Sequence, residues 1–389
     1  MFANAYTNKT VWVSGHTGFK GTWLTEWLLS LGAKVHGFSL PPPTNPSMFD
    51  QLGLADKMEH EIGDVRDLAA VRDSLWQTQP DFVFHLAAQP LVREAYAHPV
   101  ETFATNVQGT VHILEALRAL KNPCAAVFVT TDKCYENREW VYGYREEDPL
   151  GGFDPYSSSK AAAEIVIQAY RRSFFEKHPV RIASARAGNV IGGGDWAMDR
   201  IVPDCIRKLN NNLVIEVRNP EATRPWQHVL EPLSGYLWLA AVLAGYGKKH
   251  LKNPEACSAF NFGPGPEADR SVAELVEEFL KHLPGRWEDK RNPVAVHEAH
   301  LLQLCADKAR LLLKWSPVWQ FADAVEQTAN WYRMARKITD AGQVNVFTRA
   351  QIEAFCTHAQ KKQLLWAMET EIAPEEILRR EEELKACVV

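Results

Sequence analysis

Tyr156 and Lys160 stand four residues apart at the start of an amphipathic stretch, so in a helix their side chains share one face. There the ammonium is expected to lower the phenol's pKa, and a tyrosinate near neutrality takes a proton from a hydroxyl as hydride leaves the same carbon. Earlier, Thr130-Thr131-Asp132-Lys133 closes an apolar run. That places Thr131 at the carboxyl end of a buried strand, where open parallel sheets hold their ligands, and its hydroxyl can bond the same reacting oxygen.

Hydride chemistry needs a dinucleotide, and the first strand runs straight into Ser14-Gly15-His16-Thr17-Gly18-Phe19-Lys20-Gly21, which opens a helix. In such a turn the first glycine permits the bend, the second lets the backbone approach a pyrophosphate, and the third allows close packing of helix on strand. Amides at the helix N-terminus then hold the anion. The end of the second strand, Phe38-Ser39-Leu40, has neither the acid that marks NAD nor an arginine for a 2′-phosphate, so this position leaves NAD and NADP unsettled. Downstream, Asp64 of Gly63-Asp64-Val65 is a candidate for the adenine amino group or a cap for the helix from Leu68.

These segments need a scaffold. Short β-branched runs at 10–14, 34–38, 82–86, 125–130 and 180–185 alternate with helical stretches at 18–31, 68–77, 100–120 and 157–177. That alternation predicts an α/β fold, a Rossmann-type doubly wound parallel sheet. From Ala187 the texture turns rich in glycine, proline and tryptophan, so residues 1–188 are read as the dinucleotide domain, with one strand returning near 259–262. Residues 189–389 are read mainly as a smaller substrate-binding region and C-terminal helices. Tyr236 to Leu243 reads as a buried helix, Phe321 to Ala386 as helical, and Glu375 to Lys385 as a solvated helix.

Composition narrows the classes. With 46% hydrophobic residues, 23% charged and a net charge of -5, the chain is ordinary globular protein with no footprint for nucleic acid. No apolar run approaches a membrane span, and Met1 to Thr10 lack the charged-then-apolar pattern expected of a signal peptide. Seven cysteines lie far apart, without metal-ligand spacing, and read as reduced thiols of a cytoplasmic protein with no metal. The thirteen tryptophans are scattered and most read as core or interface.

Taken in order, Gly15/Gly18/Gly21, Leu86-Ala87-Ala88-Gln89, Asn106, Thr131 and Tyr156/Lys160 resemble the extended short-chain dehydrogenase/reductase family. Within it, Thr131-Asp132-Lys133 resembles the hexose 4,6-dehydratases, which commonly carry Thr-Asp-Glu. Members acting on CDP-glucose are similar in carrying the lysine, and also at Gly15 to Gly21, Asp195-Trp196 and Arg224-Pro225-Trp226-Gln227-His228-Val229. The resemblance runs to about residue 335.

It implies NAD as cofactor, with Gly15, His16, Thr17, Gly18, Phe19, Lys20, Gly21, Asp64, Val65, Leu86, Ala87 and Ala88 around it. It also implies that Asn106 supports the active-site helix and that Lys160 holds the nicotinamide ribose. Asp132 would protonate a departing 6-hydroxyl, while the base at C-5 stays open between Lys133, Tyr135 and Glu136. CDP-glucose would bring a diphosphate suited to guanidinium groups, with Arg200, Arg224 and Arg270 as candidates. Gln89 and Asn189 would complete the substrate site, with Trp226 either stacked on the base or in the core and His228 likewise either at the substrate or in the core. The resemblance further implies a homodimer through the helical stretches at 100–120 and 157–177. A nucleotide-sugar 4-epimerase, a dehydratase for another hexose nucleotide and a catalytically idle sugar-nucleotide sensor are the rival readings; Asp132 disfavours the first and the intact trio Thr131, Tyr156 and Lys160 the last.

Overall fold

A computed structural model describes residues 1–247, 256–291, 301–337 and 341–368. Its centre is a seven-stranded parallel sheet. Six strands come from the first half: β1 (Thr10–Ser14), β2 (Lys34–Ser39), β3 (Glu59–Ile62), β4 (Phe82–His85), β5 (Cys124–Val129) and β6 (Val180–Ala187). The seventh, Ala259–Phe262, pairs parallel with β6, Ala259 opposite Ser184. Across the sheet the order is Ala259–Phe262, β6, β5, β4, β1, β2, β3, so the winding reverses between β1 and β4. A crevice opens there at the carboxyl ends of the strands.

Side-chain alternation explains why both faces are covered. On β1, Val11 and Val13 point to one core and Trp12 to the other; on β4 Phe82 and Phe84 oppose Val83; on β5 Ala125, Val127 and Val129 oppose Ala126 and Phe128. One face packs under helices Leu68–Thr78, Gly109–Ala119 and Pro155–Tyr170, through Val71, Leu75, Ile113, Leu117 and Ile167. The other packs under Phe19–Ser30 and Leu230–Leu243, through Trp23, Trp27, Leu233 and Leu237.

The helix expected from Tyr236 begins at Leu230, and every residue to Leu243 is buried. The stretch expected as one helix over 100–120 is instead Pro99–Phe103, a widened π-type turn Ala104–Gln108 and Gly109–Ala119. A second widened turn, Arg171–Phe175, follows Tyr170. The C-terminal stretch supplies helices Phe321–Ala335 and Ala341–Lys361, while the segment 375–385 lies outside the described residues. Helix Ala341–Lys361 is tied to the helix that follows the glycine loop. Glu26, fully buried, accepts hydrogen bonds from Asn345 Nδ2 at 2.6 Å and from Arg349 Nε.

The six described cysteines are free. No described helix is long and apolar enough to cross a membrane, and no group of three or more potential metal ligands occurs among the described residues.

Candidate active site

The glycine loop is shaped by close approaches that only glycine permits. Gly15 has a φ of +75°, and a Cβ there would lie 2.7 Å from the Ala87 amide nitrogen. At Gly21 a Cβ would lie 2.0 Å from the Gly15 carbonyl oxygen, so the first turn of the helix sits directly on the bend. Gly18 is the N-cap and offers no side chain to the first amides. A backbone cradle with uncapped amides at the switch point fits the diphosphate of a dinucleotide. Ser14 braces it from below: its hydroxyl lies 2.7 Å from His85 Nδ1 and accepts from the Leu86 amide at 3.2 Å.

The other expected cofactor residues divide. Thr17 Oγ1 lies 2.9 Å from Ser39 Oγ and donates to the Leu40 carbonyl, which fixes the end of β2 against the loop. The His16 side chain turns into the protein, with Nε2 2.7 Å from His60 Nδ1 and its ring edge-on to Phe49, so only its backbone remains on the loop. Burial pushes that imidazole down to about 3, with the charges of His60 and His36 adding to the effect. Asp64 is neither cap nor open acceptor: Arg66 Nε and Nη2 grip its carboxylate, at 2.6 Å in the shortest contact, and hold it below the usual range. The cap is Asp67, which accepts from the Ala69 and Ala70 amides. Val65 is buried beside Gly109, and its carbonyl lies 2.9 Å from His112 Nδ1.

Asp154 and Pro155 start the helix that carries the proposed proton-transfer pair. The Asp154 carboxylate accepts from the Ser157 amide at 2.9 Å, and Pro155 takes the first helical position, where a missing N–H costs nothing. Tyr156 and Lys160 then follow one turn apart, both buried. The spacing predicts an acidified phenol, and the structure corrects this. Burial pushes the Tyr156 phenol up to about 12; a hydrogen bond with Thr131 opposes the rise, the Asp132 charge adds to it and Arg200 works against it. Lys160 Nζ donates to the Val129 carbonyl at 3.3 Å. Burial also pushes this ammonium down to about 8, against the pull of Glu164.

Thr131, Asp132 and Lys133 follow β5 in a short 3-10 turn. Thr131 Oγ1 donates to Asp132 Oδ1 at 2.9 Å, and Asp132 Oδ2 lies against Gly188, where a Cβ would come within 3.0 Å. Burial raises the Asp132 carboxyl above its ordinary value, although Lys133, the Thr131 bond, Arg224 and Lys20 all pull it down. A raised carboxyl beside a hydroxyl and a phenol is equipped to donate a proton.

The support beneath this cluster is not evident in local spacing. Glu164, one turn beyond Lys160, accepts from Thr130 Oγ1 at 2.5 Å, from Ser184 Oγ at 2.8 Å and from Arg186 Nη2 at 2.8 Å. Burial alone would raise Glu164, but Arg186 and the two hydroxyls hold it low. Arg186 also donates to the Tyr135 hydroxyl at 2.8 Å, which donates in turn to Asn261 Oδ1 at 2.7 Å. Tyr135 is therefore a strut between β6 and the returning strand, which removes it as a candidate base. Asn106, in the widened turn, accepts from the Gln89 amide at 2.9 Å and donates to Ser159 Oγ at 2.8 Å, joining the loop after β4 to the helix of Tyr156. A lone arginine inside the apolar run Ile182 to Ala187 was the available signal for this network, since a buried cation requires a partner.

On the substrate side the candidates separate. Arg224 and Arg270 are direct cross-strand partners in the antiparallel pair Thr223–Pro225 with Asp269–Ser271. Like charges placed opposite one another suit a shared anion. Arg200 pairs with Asp195 at 2.9 Å and lies within reach of the Tyr156 charge. Asn189 is exposed just beyond β6. Two expectations fail. His228 is fully buried between Trp23 and Trp319, its ring pushed down to about 3 by burial, so it is a neutral core residue. Gln89 has both ends of its amide occupied, Nε2 by the Leu91 carbonyl and Thr102 Oγ1 and Oε1 by the Leu91 amide, so it shapes the loop instead of meeting substrate. Trp226 donates from Nε1 to the Arg270 carbonyl at 2.9 Å and is core, not a base-stacking platform.

Comparison with known proteins places this geometry. The family described as GDP-mannose 4,6 dehydratase matches residues 12–328. CDP-glucose 4,6-dehydratase of Salmonella typhimurium is 47% identical over 339 residues, covering 85% of this chain and 92% of that protein. dTDP-glucose 4,6-dehydratase of Mycolicibacterium smegmatis is 29% identical over 72% of this chain and 80% of its own length. Among solved structures, DesIV (dTDP-glucose 4,6-dehydratase) of Streptomyces venezuelae, with NAD and TYD bound, superposes with a TM-score of 0.70. It is 24% identical, covering 84% of this chain and 98% of that one.

Proposed function

Because the chain belongs to the GDP-mannose 4,6 dehydratase family, we propose that it is a nucleotide-sugar 4,6-dehydratase that converts CDP-glucose to CDP-4-keto-6-deoxyglucose. The observation that carries the reading is Asp132: a buried carboxyl beside Thr131 and Tyr156, raised by burial, which a 4-epimerase would not need. NAD is the cofactor; when bound it would supply the hydride acceptor for C-4, the hydride donor for C-6 and a positively charged nicotinamide. The cradle of Gly15, Gly18 and Gly21 holds its diphosphate, and Lys160 holds the ribose next to the nicotinamide.

Thr131 orients the 4-hydroxyl and Tyr156 takes its proton. The resulting ketone acidifies C-5, from which Lys133 removes a proton. The electron pair left behind forms the C-5 to C-6 double bond as the 6-oxygen leaves, protonated by Asp132, as water. Lys133 later returns the proton to C-5. Replacing Lys133 by Met is expected to abolish solvent-deuterium incorporation at C-5 of the product, read by mass spectrometry; undiminished incorporation moves the base elsewhere.

Arg224 and Arg270 clamp the diphosphate, with Arg200 and Asn189 beside the sugar. Arg224→Ala is expected to raise KM for CDP-glucose by roughly 10- to 100-fold, with little change in kcat, since a lost charge-assisted bond weakens ground and transition states alike. The division at residue 188 follows this chemistry, with the dinucleotide on 1–188 and the returning strand and the sugar nucleotide mainly on the rest. A homodimer through helices Pro99–Phe103 and Pro155–Tyr170 is supported by Val100, Phe103 and Ile165, which stand exposed on them. A cytoplasmic place of action is supported by the free thiols.

The test is incubation with NAD and CDP-, dTDP- or UDP-glucose, followed by the alkaline absorbance of a 4-keto sugar. Signal with CDP-glucose alone is expected. Signal with another nucleotide in preference reassigns the substrate, and none with any of them removes the activity.

A further inference from the structure

Two side chains beside the reacting groups have no task in the mechanism above. Lys20, the second residue of the helix after the glycine loop, was expected to bind cofactor. Instead its ammonium lies over the ring of Tyr236, 5.9 Å from the centroid. Tyr236 sits in the fully buried helix Leu230–Leu243, its ring edge-on to Phe262, yet its hydroxyl has no hydrogen-bond partner. An unmet hydroxyl in the interior is costly unless a ligand completes it.

Its surroundings indicate what that ligand is. After burial, the groups that act on the Tyr236 phenol are Asp132 and Tyr156, both members of the reacting cluster. Burial pushes Lys20 down to about 8; Asp132 opposes this, while Arg200 and Lys160 reinforce it. Lys20 is likewise one of the cations that pull Asp132 down. The Leu230–Leu243 helix packs on the glycine-loop helix and on β5, the strand that leads into Asp132, so Lys20 and Tyr236 lie near Asp132 and Tyr156.

We propose that Lys20 and Tyr236 form the subsite for the departing 6-hydroxyl, Tyr236 donating a hydrogen bond to that oxygen and Lys20 facing Asp132. This rests on the dehydratase reading. As the C-6 to oxygen bond breaks, the C-5 electron pair becomes the new double bond, the oxygen takes the Asp132 proton and leaves as water, and the Lys20 charge compensates the carboxylate that remains. Tyr236 touches the leaving group; Lys20 is a positioning residue that acts through Asp132.

The experiment compares wild type, Lys20→Met and Tyr236→Phe, each with NAD, on CDP-glucose and on CDP-6-deoxy-6-fluoroglucose, whose fluoride leaves without needing a proton. On CDP-glucose kcat is expected to fall roughly 10- to 100-fold in each variant. On the fluoro sugar it stays close to wild type. An equal loss on both sugars, or full activity on CDP-glucose, overturns the proposal. Tyr236→Phe deletes only the partnerless oxygen, so it carries the test alone should Lys20→Met misfold. A wild-type protein that forms no 4-keto sugar from CDP-glucose removes the dehydratase reading itself, an outcome distinct from any difference between variants.

Discussion

Replacing Tyr156 by Phe is expected to lower turnover of CDP-glucose by about 10³-fold or more while leaving its binding nearly intact. The phenol is hydrogen-bonded to Thr131, whereas the Asp154 cap of its helix and the Lys160 contact to β5 do not involve it, so the variant is expected to keep both. Only the proton path is cut. The C-4 ketone never forms, so quenching with borodeuteride traps no deuterium at C-4. Substantial turnover, or label trapped at C-4, would take Tyr156 out of that path. Burial pushes the phenol up to about 12, and the positive charge of a bound oxidised nicotinamide would pull it back down. Binding and activation are therefore coupled in this account.

Asp132→Asn is expected to divide the reaction at a later point. The amide keeps the side chain's shape against Gly188 and can still accept from Thr131, but it has no proton to give the leaving oxygen. Overall turnover should fall by about 10² to 10³-fold. Oxidation at C-4 should continue, so borodeuteride quenching should now yield hexose labelled at C-4, where Tyr156→Phe gives none. Wild-type turnover in this variant would mean that the proton for water comes from another group.

What the sequence disclosed follows from how local each signal was. The bend at Gly15, Gly18 and Gly21 and the turn from Tyr156 to Lys160 are written in spacings of three and four residues, and β1 to β6 in alternation, so both were legible. Glu164 and Arg186 meet across a helix and a strand, and Glu26 meets Arg349 from the far end of the chain. Nothing in either neighbourhood announces its partner. His228 was misplaced for the opposite reason: it lies in a segment with a strong family resemblance, and such a segment does not reveal which of its side chains turn inward between Trp23 and Trp319. The expected acidity of Tyr156 failed because spacing conveys proximity and not desolvation. Lys20 was assigned to the cofactor by its place in the glycine loop, whereas its position in the first turn of the following helix sets its ammonium over Tyr236.

Transfer of label within one sugar tests the central claim most directly. CDP-glucose carrying deuterium at C-4 is converted by the protein with unlabelled NAD, and the product is examined by NMR. Deuterium is expected on C-6 of a 4-keto-6-deoxy sugar. Recovery of the label at C-4 of an epimerised or unchanged hexose would contradict it.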